Sequence, residues 1–242
     1  MTALLAPPLS DELRRRARDL DARLRACPFY GRLLQGRLSA DEYAAWLTQQ
    51  YKYVRLTSEI TAGLAAATRG HEDPLYRDLH AYASYEHEEE KGHDELLLVD
   101  LAALWKVGRT EALGRVERTP TAPAIGAYAA MLDYWLRRQP LAALGVALAL
   151  ETLAALQSDV IYEEMKARSG IPGVERSLRF FRAHRAEVEV EHSSAAAVML
   201  DRLEDPAARS AAFFLANAAL AMFEGTAHYL AGLYGRGATD RS

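Results

Sequence analysis

Residues 141–156 read LAALGVALALETLAAL, an apolar run broken by one charge, Glu151. Wound as a helix, the run is apolar on nearly every face, which places it at the centre of a protein built from helices. It is shorter than the roughly 20 residues that span a bilayer, so a buried helix explains it better than a membrane segment. An ionised carboxylate among such neighbours is costly unless it is paired, protonated or bound to a metal. The residue alone leaves all three open.

Working outward from this run, helix starts and stops punctuate the chain. Ser10, followed by Asp11 and Glu12, starts a helix that runs to about Ala26. Ser39 and Glu42 form a capping-box pattern before a long helix that Gly70 stops. Asp73-Pro74 starts another, carrying to about Trp105. A connection over 119–124 precedes a helix to Arg138, and Pro140 opens one that reaches Gly170. The spacing then predicts helices over about 174–203 and 206–233. Ala and Leu supply 45 and 35 of the 242 residues, against 9 Pro and 15 Gly, which favours helix throughout. No linker or repeat divides the chain. The expectation is one all-α domain over 1–242, a bundle of about seven helices with loose tails at 1–9 and 235–242.

The net charge of −4 gives no basic field for nucleic acid. A single cysteine, Cys27, excludes a disulfide framework and cysteine-rich zinc sites and fits a cytoplasmic location. The N-terminus lacks the basic and apolar regions of a signal peptide.

Polar groups recur where a core is expected. In Glu86-His-Glu-Glu-Glu-Lys-Gly-His93, both Glu86 and Glu90 lie at helical spacing from His93, and the run continues into apolar Leu96–Val99. In His184-Arg-Ala-Glu-Val-Glu-Val-Glu-His192, Glu189 and His192 repeat the Glu-x-x-His spacing, with Glu187 and Glu191 beside them. Glu59 interrupts the apolar positions Leu56, Ile60 and Leu64. Each of these is common on a solvated helix face. Together they place a lone Glu (59), Glu90-x-x-His93, a lone Glu (151) and Glu189-x-x-His192 on successive helices. That is the ligand order of carboxylate-bridged di-iron bundles, and oxygen plus imidazole donors suit iron or manganese.

A family resemblance adds to this. Pro28-Phe-Tyr30, Gly36-Arg-Leu-Ser39 and Tyr43-x-x-Trp46-Leu-x-x-x-Tyr51 with Tyr53 resemble the opening of the haem-oxygenase-like superfamily. That group includes haem oxygenases, TenA-type thiaminases, the quinone-cofactor oxidase PqqC and the haem-oxygenase-like di-iron oxidases and oxygenases. The di-iron branch, the iron-containing redox enzymes, implies as metal ligands Glu86 or Glu90 with His93, then Glu151, then His184, Glu189 and His192. In that branch the last two histidines stand seven apart, with a carboxylate four after the first. Here they stand eight apart, and residue 188 is Val. The resemblance then puts Glu189 in the carboxylate's place, and a π-type or kinked turn between Arg185 and Glu191 would absorb the extra residue. Tyr30 aligns with a tyrosine that some relatives oxidise. Haem oxygenase itself needs a histidine on its first helix, and none precedes His71. Cys27 is misplaced for a thiaminase nucleophile.

The resemblance implies a non-haem di-iron enzyme. Two Fe(II) ions per chain would activate O2 as co-substrate to oxidise an amine, an amino acid or a fatty acid. An unidentified electron donor and a homodimeric state go with it, without nucleic acid or membrane. Two alternatives stand beside it. One is a metal-free TenA-like hydrolase of an aminopyrimidine, for which Glu224 and His228, four apart on the last helix, are the candidates. The other is a helical protein that only binds a small ligand.

Overall fold

The computed structural model describes residues 7–235, without the side chains of 186–192. Eleven α-helices and two 3₁₀ turns account for nearly all of the described residues. They are α1 (Leu9–Ala26), α2 (Pro28–Leu33), α3 (Ala40–Thr68), α4 (Pro74–Glu90), α5 (His93–Trp105), α6 (Arg109–Arg118), α7 (Pro123–Leu136), α8 (Ala143–Arg168), α9 (Arg179–Ala183), α10 (Ala186–Asp201) and α11 (Pro206–Tyr234), with 3₁₀ turns at Pro140–Ala142 and Val174–Ser177. The architecture is the expected all-α, single-domain bundle. It has more segments than seven because two long predicted helices are divided and the short α2 and α6 form between the predicted helices.

The apolar run becomes α8, the central helix, packed against α1, α10 and α11. Both α8 with its leading turn and α11 are long and apolar enough to cross a membrane by length and composition. In this fold α8 spends its apolar faces on its three neighbours. Gly145 permits the closest approach, since a Cβ there would lie 2.3 Å from the Ala212 carbonyl oxygen of α11. A second helix layer, α3 with α4 and α5, faces α8 across the site described below.

Capping chemistry fixes the helix starts. The Ser39 hydroxyl accepts from the Glu42 N–H at 3.3 Å, while the Glu42 carboxylate accepts from the Ser39 N–H at 2.8 Å. Asp73 and Asp205 cap α4 and α11, each ahead of a proline at the first helical position. Ser10 does not start α1. It sits buried in its first turn, and its N–H and hydroxyl both donate to Asp201 of α10, at 3.1 and 2.6 Å. Leu9 is buried too, so it belongs to the bundle rather than to a loose tail; residues 1–6 and 236–242 of the expected tails lie outside the described residues.

The two divisions matter most. The helix predicted from Pro74 to Trp105 ends at Glu90, because Gly92 takes a φ of 94° that restarts the chain as α5. The helix predicted over 174–203 breaks at His184–Arg185 (φ −98° and −67°, ψ 46° and 150°). The π-type or kinked turn expected between Arg185 and Glu191 does not form; the chain instead breaks just before that interval, at His184–Arg185, between two helices. From Ala186 the backbone is α-helical to Asp201.

Candidate metal centre

Both breaks deliver histidines to one place. His93 opens α5, His184 directly follows α9, and Glu90 closes α4. Single donor atoms of Glu90, His93 and His184 all lie within 4.8 Å of one another. The imidazoles of His93 and His184 meet edge to face, 4.4 Å between ring centres. His93 Nδ1 stands 3.1 Å from the Glu90 carboxylate. His184 Nδ1 contacts the Phe180 carbonyl oxygen at 2.8 Å. With the proton on Nδ1 donated to that carbonyl, Nε2 keeps its lone pair for a ligand, the common arrangement of a metal-binding imidazole.

The loop and helix that carry His184 are anchored from behind. Asp100 of α5, fully buried, accepts from the Phe180 N–H at 3.0 Å. Burial pushes its carboxyl up to about 6, against the pull of the Phe180 and Arg179 donors. Tyr43 donates to the Ser177 carbonyl oxygen at 2.9 Å, and Trp46 stacks on Phe181, 5.3 Å between centres. The three contacts hold the segment before His184 against α3 and α5.

Next to the three-residue cluster is a cavity of about 170 Å³. Glu86, Glu90, Glu151 and His184 line it, and Tyr82, Tyr53, Phe180, Phe181 and Phe223 supply aromatic walls. Tyr82 donates to Glu151 at 3.0 Å. Burial first, and the Glu151 charge second, hold its phenol far above the usual range. Glu86 is 5% exposed, and burial together with the charges of Glu90 and Glu89 pushes its carboxyl up to about 7. Several carboxylates gathered in a half-buried site repel one another, and a cation would relieve that repulsion. The donor set of oxygens and imidazoles fits iron or manganese and offers nothing a thiophilic metal would prefer.

Of the sequence-predicted residues, Glu86, Glu90, His93, Glu151 and His184 therefore gather at this cavity. The side chains of Glu187, Glu189, Glu191 and His192 lie outside the described residues. Glu59 does not belong to the site. It points to solvent, 65% exposed, and pairs with Arg55 one helical turn earlier. Glu224 forms an ion pair with Arg23 at 2.7 Å, and His228 is exposed, so this pair is satisfied at the surface away from the cavity. Tyr30 is buried at the cavity wall, where its hydroxyl donates to Gln157 at 2.6 Å. Sequence reasoning misses Tyr82, although its place four residues before Glu86 puts both on one face of α4.

The chain resembles known proteins over most of its length. A family described as iron-containing redox enzymes matches residues 44–224. No curated protein matches the chain. Among solved structures, a domain of unknown function with a haem-oxygenase-like fold from Shewanella denitrificans superposes with a TM-score of 0.76 at 20% identity, covering 96% of this chain and 97% of that one. A TenA homologue from Pseudomonas syringae pv. tomato gives 0.70 at 17% identity, covering 95% and 94%. Haem oxygenase-1 from the cyanobacterium Synechocystis, solved with haem, gives 0.63 at 15% identity, covering 95% and 93%. At these identities the structures establish the fold alone.

Proposed function

The chain belongs to the family of iron-containing redox enzymes, and on that footing we propose a non-haem di-iron oxidase or oxygenase that uses O2 to oxidise a small organic molecule. The observation that carries this reading is the convergence of Glu90, His93 and His184 within 4.8 Å beside a cavity lined by Glu86 and Glu151. In this reading Glu90, His93 and His184 would hold one iron, and Glu86 and Glu151 would offer carboxylates to a second, for which the family resemblance also implies Glu189 and His192. Iron so held supplies the one-electron steps that let O2 react with closed-shell organic molecules.

The protein's own residues do the rest. The Phe180 carbonyl fixes the His184 ring and its tautomer. The Tyr82 hydroxyl fixes one Glu151 oxygen. The aromatic walls exclude water from the reacting molecule and hold it next to the carboxylates. A separate electron donor, a cytoplasmic location and a homodimer complete the reading.

The test is anaerobic loading of the full-length protein with Fe(II), removal of loose metal, and iron-to-protein analysis with Mössbauer spectroscopy before and after O2. About two irons per chain that oxidise together are expected, following the two-metal ligand pattern. One retained iron would replace the di-iron centre by a mononuclear one, and none would remove the reading altogether. The surface position of Glu224 and His228 leaves the hydrolase alternative without its candidate residues.

A further inference from the structure

Residues 184 and 185 belong to neither α9 nor α10, and Arg185 stands at the N-cap position of α10. An arginine is out of place there. Its side chain has no acceptor for the free N–H groups of a first turn, and its charge faces the positive end of the helix dipole. It makes no side-chain capping bond. The side chain turns to α8 instead. Its guanidinium pairs with Asp159 at 2.5 Å and with Glu163 at 3.6 Å, and it lies 5.5 Å from the centre of the Tyr162 ring. Asp159 and Glu163 stand one helical turn apart, where like charges repel, and a cation between them removes that cost.

All three charged side chains are partly exposed, and such pairs add little to stability. What they supply is direction. His184 lies outside both helices, so its place follows from the backbone angles of the joint rather than from a helix ladder. On one side Asp100, Tyr43 and Trp46 hold the segment before it against α5 and α3. On the other side the planar Arg185 head, gripped at three points, ties the joint to α8. The same helix carries Glu151, eight residues and about 12 Å of helix before Asp159. One rigid element thus holds a carboxylate of the site and the counter-charges of the joint.

We propose that Arg185 is a positioning residue: by pairing with Asp159 and Glu163 it sets where the His184 imidazole stands relative to Glu151, with α8 as the common frame. This deepens the preceding reading and rests on it only in taking iron as the ion the imidazole receives. Arg185 acts through His184 and not on the reacting molecule. A lysine in its place could pair with one carboxylate, but could neither fork between two nor lay a flat face on the Tyr162 ring. Losing a partner that orients a metal-binding side chain costs roughly 10–100-fold in metal affinity.

The experiment compares the full-length protein with Arg185→Ala, Arg185→Lys and Asp159→Asn. Isotope-labelled histidine nitrogens are followed by NMR, and the His184 signal is assigned by its loss in His184→Gln. In the metal-free wild type that signal is expected to show one tautomer, protonated at Nδ1 toward the Phe180 carbonyl. In Arg185→Ala it is expected to show a mixture. Anaerobic Fe(II) titration is expected to give roughly 10–100-fold weaker binding in Arg185→Ala and a smaller loss in Arg185→Lys, with far-UV circular dichroism unchanged. Asp159→Asn carries both comparisons if the alanine variant does not fold. A single His184 tautomer kept after the substitution, or iron bound as tightly as in wild type, would each overturn the inference, and unfolding of both variants would do so by making the contacts structural. The two readings fail separately: a wild type that binds no iron removes the redox reading and leaves the tautomer comparison to decide this one, whereas wild-type iron binding with tautomer and affinity unchanged in the variants removes only this one.

Discussion

Asp100 allows a quantitative test of how the site is held. Its side chain is fully buried, and its carboxyl titrates in the folded protein at about 6, against 3.8 when free. Between those values the folded state binds a proton that the unfolded state has lost. Stability therefore falls as pH rises from about 4 to 6, and the contribution present below pH 4 is gone above pH 6. A shift of about two units corresponds to roughly 3 kcal/mol. Asp100→Asn removes this titration and keeps an oxygen for the Phe180 N–H. Its stability relative to wild type is expected to rise by about 3 kcal/mol between pH 4 and pH 7. Asp100→Ala leaves that N–H without an acceptor at every pH, for a loss of about 1–3 kcal/mol at pH 4. Urea unfolding followed by circular dichroism at pH 4, 5, 6 and 7 measures both, with constant m-values as the check on two-state behaviour. Taking the difference between variant and wild type cancels every other carboxylate. A difference that is flat with pH, or that falls, would refute the assignment of burial as the dominant influence on Asp100.

Three further outcomes follow from the geometry. Glu151→Ala is expected to abolish tight iron binding while circular dichroism stays helical, because the change removes a carboxylate from the cavity and leaves the packing of α8 on α1, α10 and α11 in place; iron retention at the wild-type level would assign Glu151 a structural role. Gly145→Ala drives a methyl into the α11 backbone, 2.3 Å from the Ala212 oxygen, and is expected to cost about 1–3 kcal/mol or more in a denaturant titration; an unchanged midpoint would mean that α8 and α11 separate easily. Glu59→Ala and Glu224→Gln are expected to leave iron stoichiometry unaltered, with Glu59→Ala changing stability by less than about 0.5 kcal/mol; loss of iron in either would return that residue to the centre.

Parts of this structure are written locally and parts are not. The Ser39–Glu42 box, the Asp73-Pro74 start and the apolar 141–156 run each act within a few residues, and each forms as read. Glu86, Glu90, His93, Glu151 and His184 stand out because polar groups are unexpected on faces that are otherwise apolar. Glu59 misleads by the same logic, since it neighbours Leu56 and Ile60 in sequence, yet faces the solvent side with Arg55. The break at Gly92 carries a local mark, a glycine that takes a left-handed conformation. The break at His184–Arg185 carries none. It is accompanied by contacts from distant elements, with Asp100 on the Phe180 N–H and Trp46 on the Phe181 ring.

The candidate donors Glu90, His93 and His184 all sit at the ends of helices, on either side of two short joints. Adding a residue inside a helix turns everything beyond it by about 100° and sends every later side chain to a new face. Adding one at a joint changes a few backbone angles and leaves both flanking helices in register. The histidine-bearing segments are thus the places where this bundle can accept insertions and deletions without re-facing its core. Length variation and donor geometry are uncoupled there, so the spacing between the chain's histidines is free to drift while the faces of α3, α8 and α11 stay fixed.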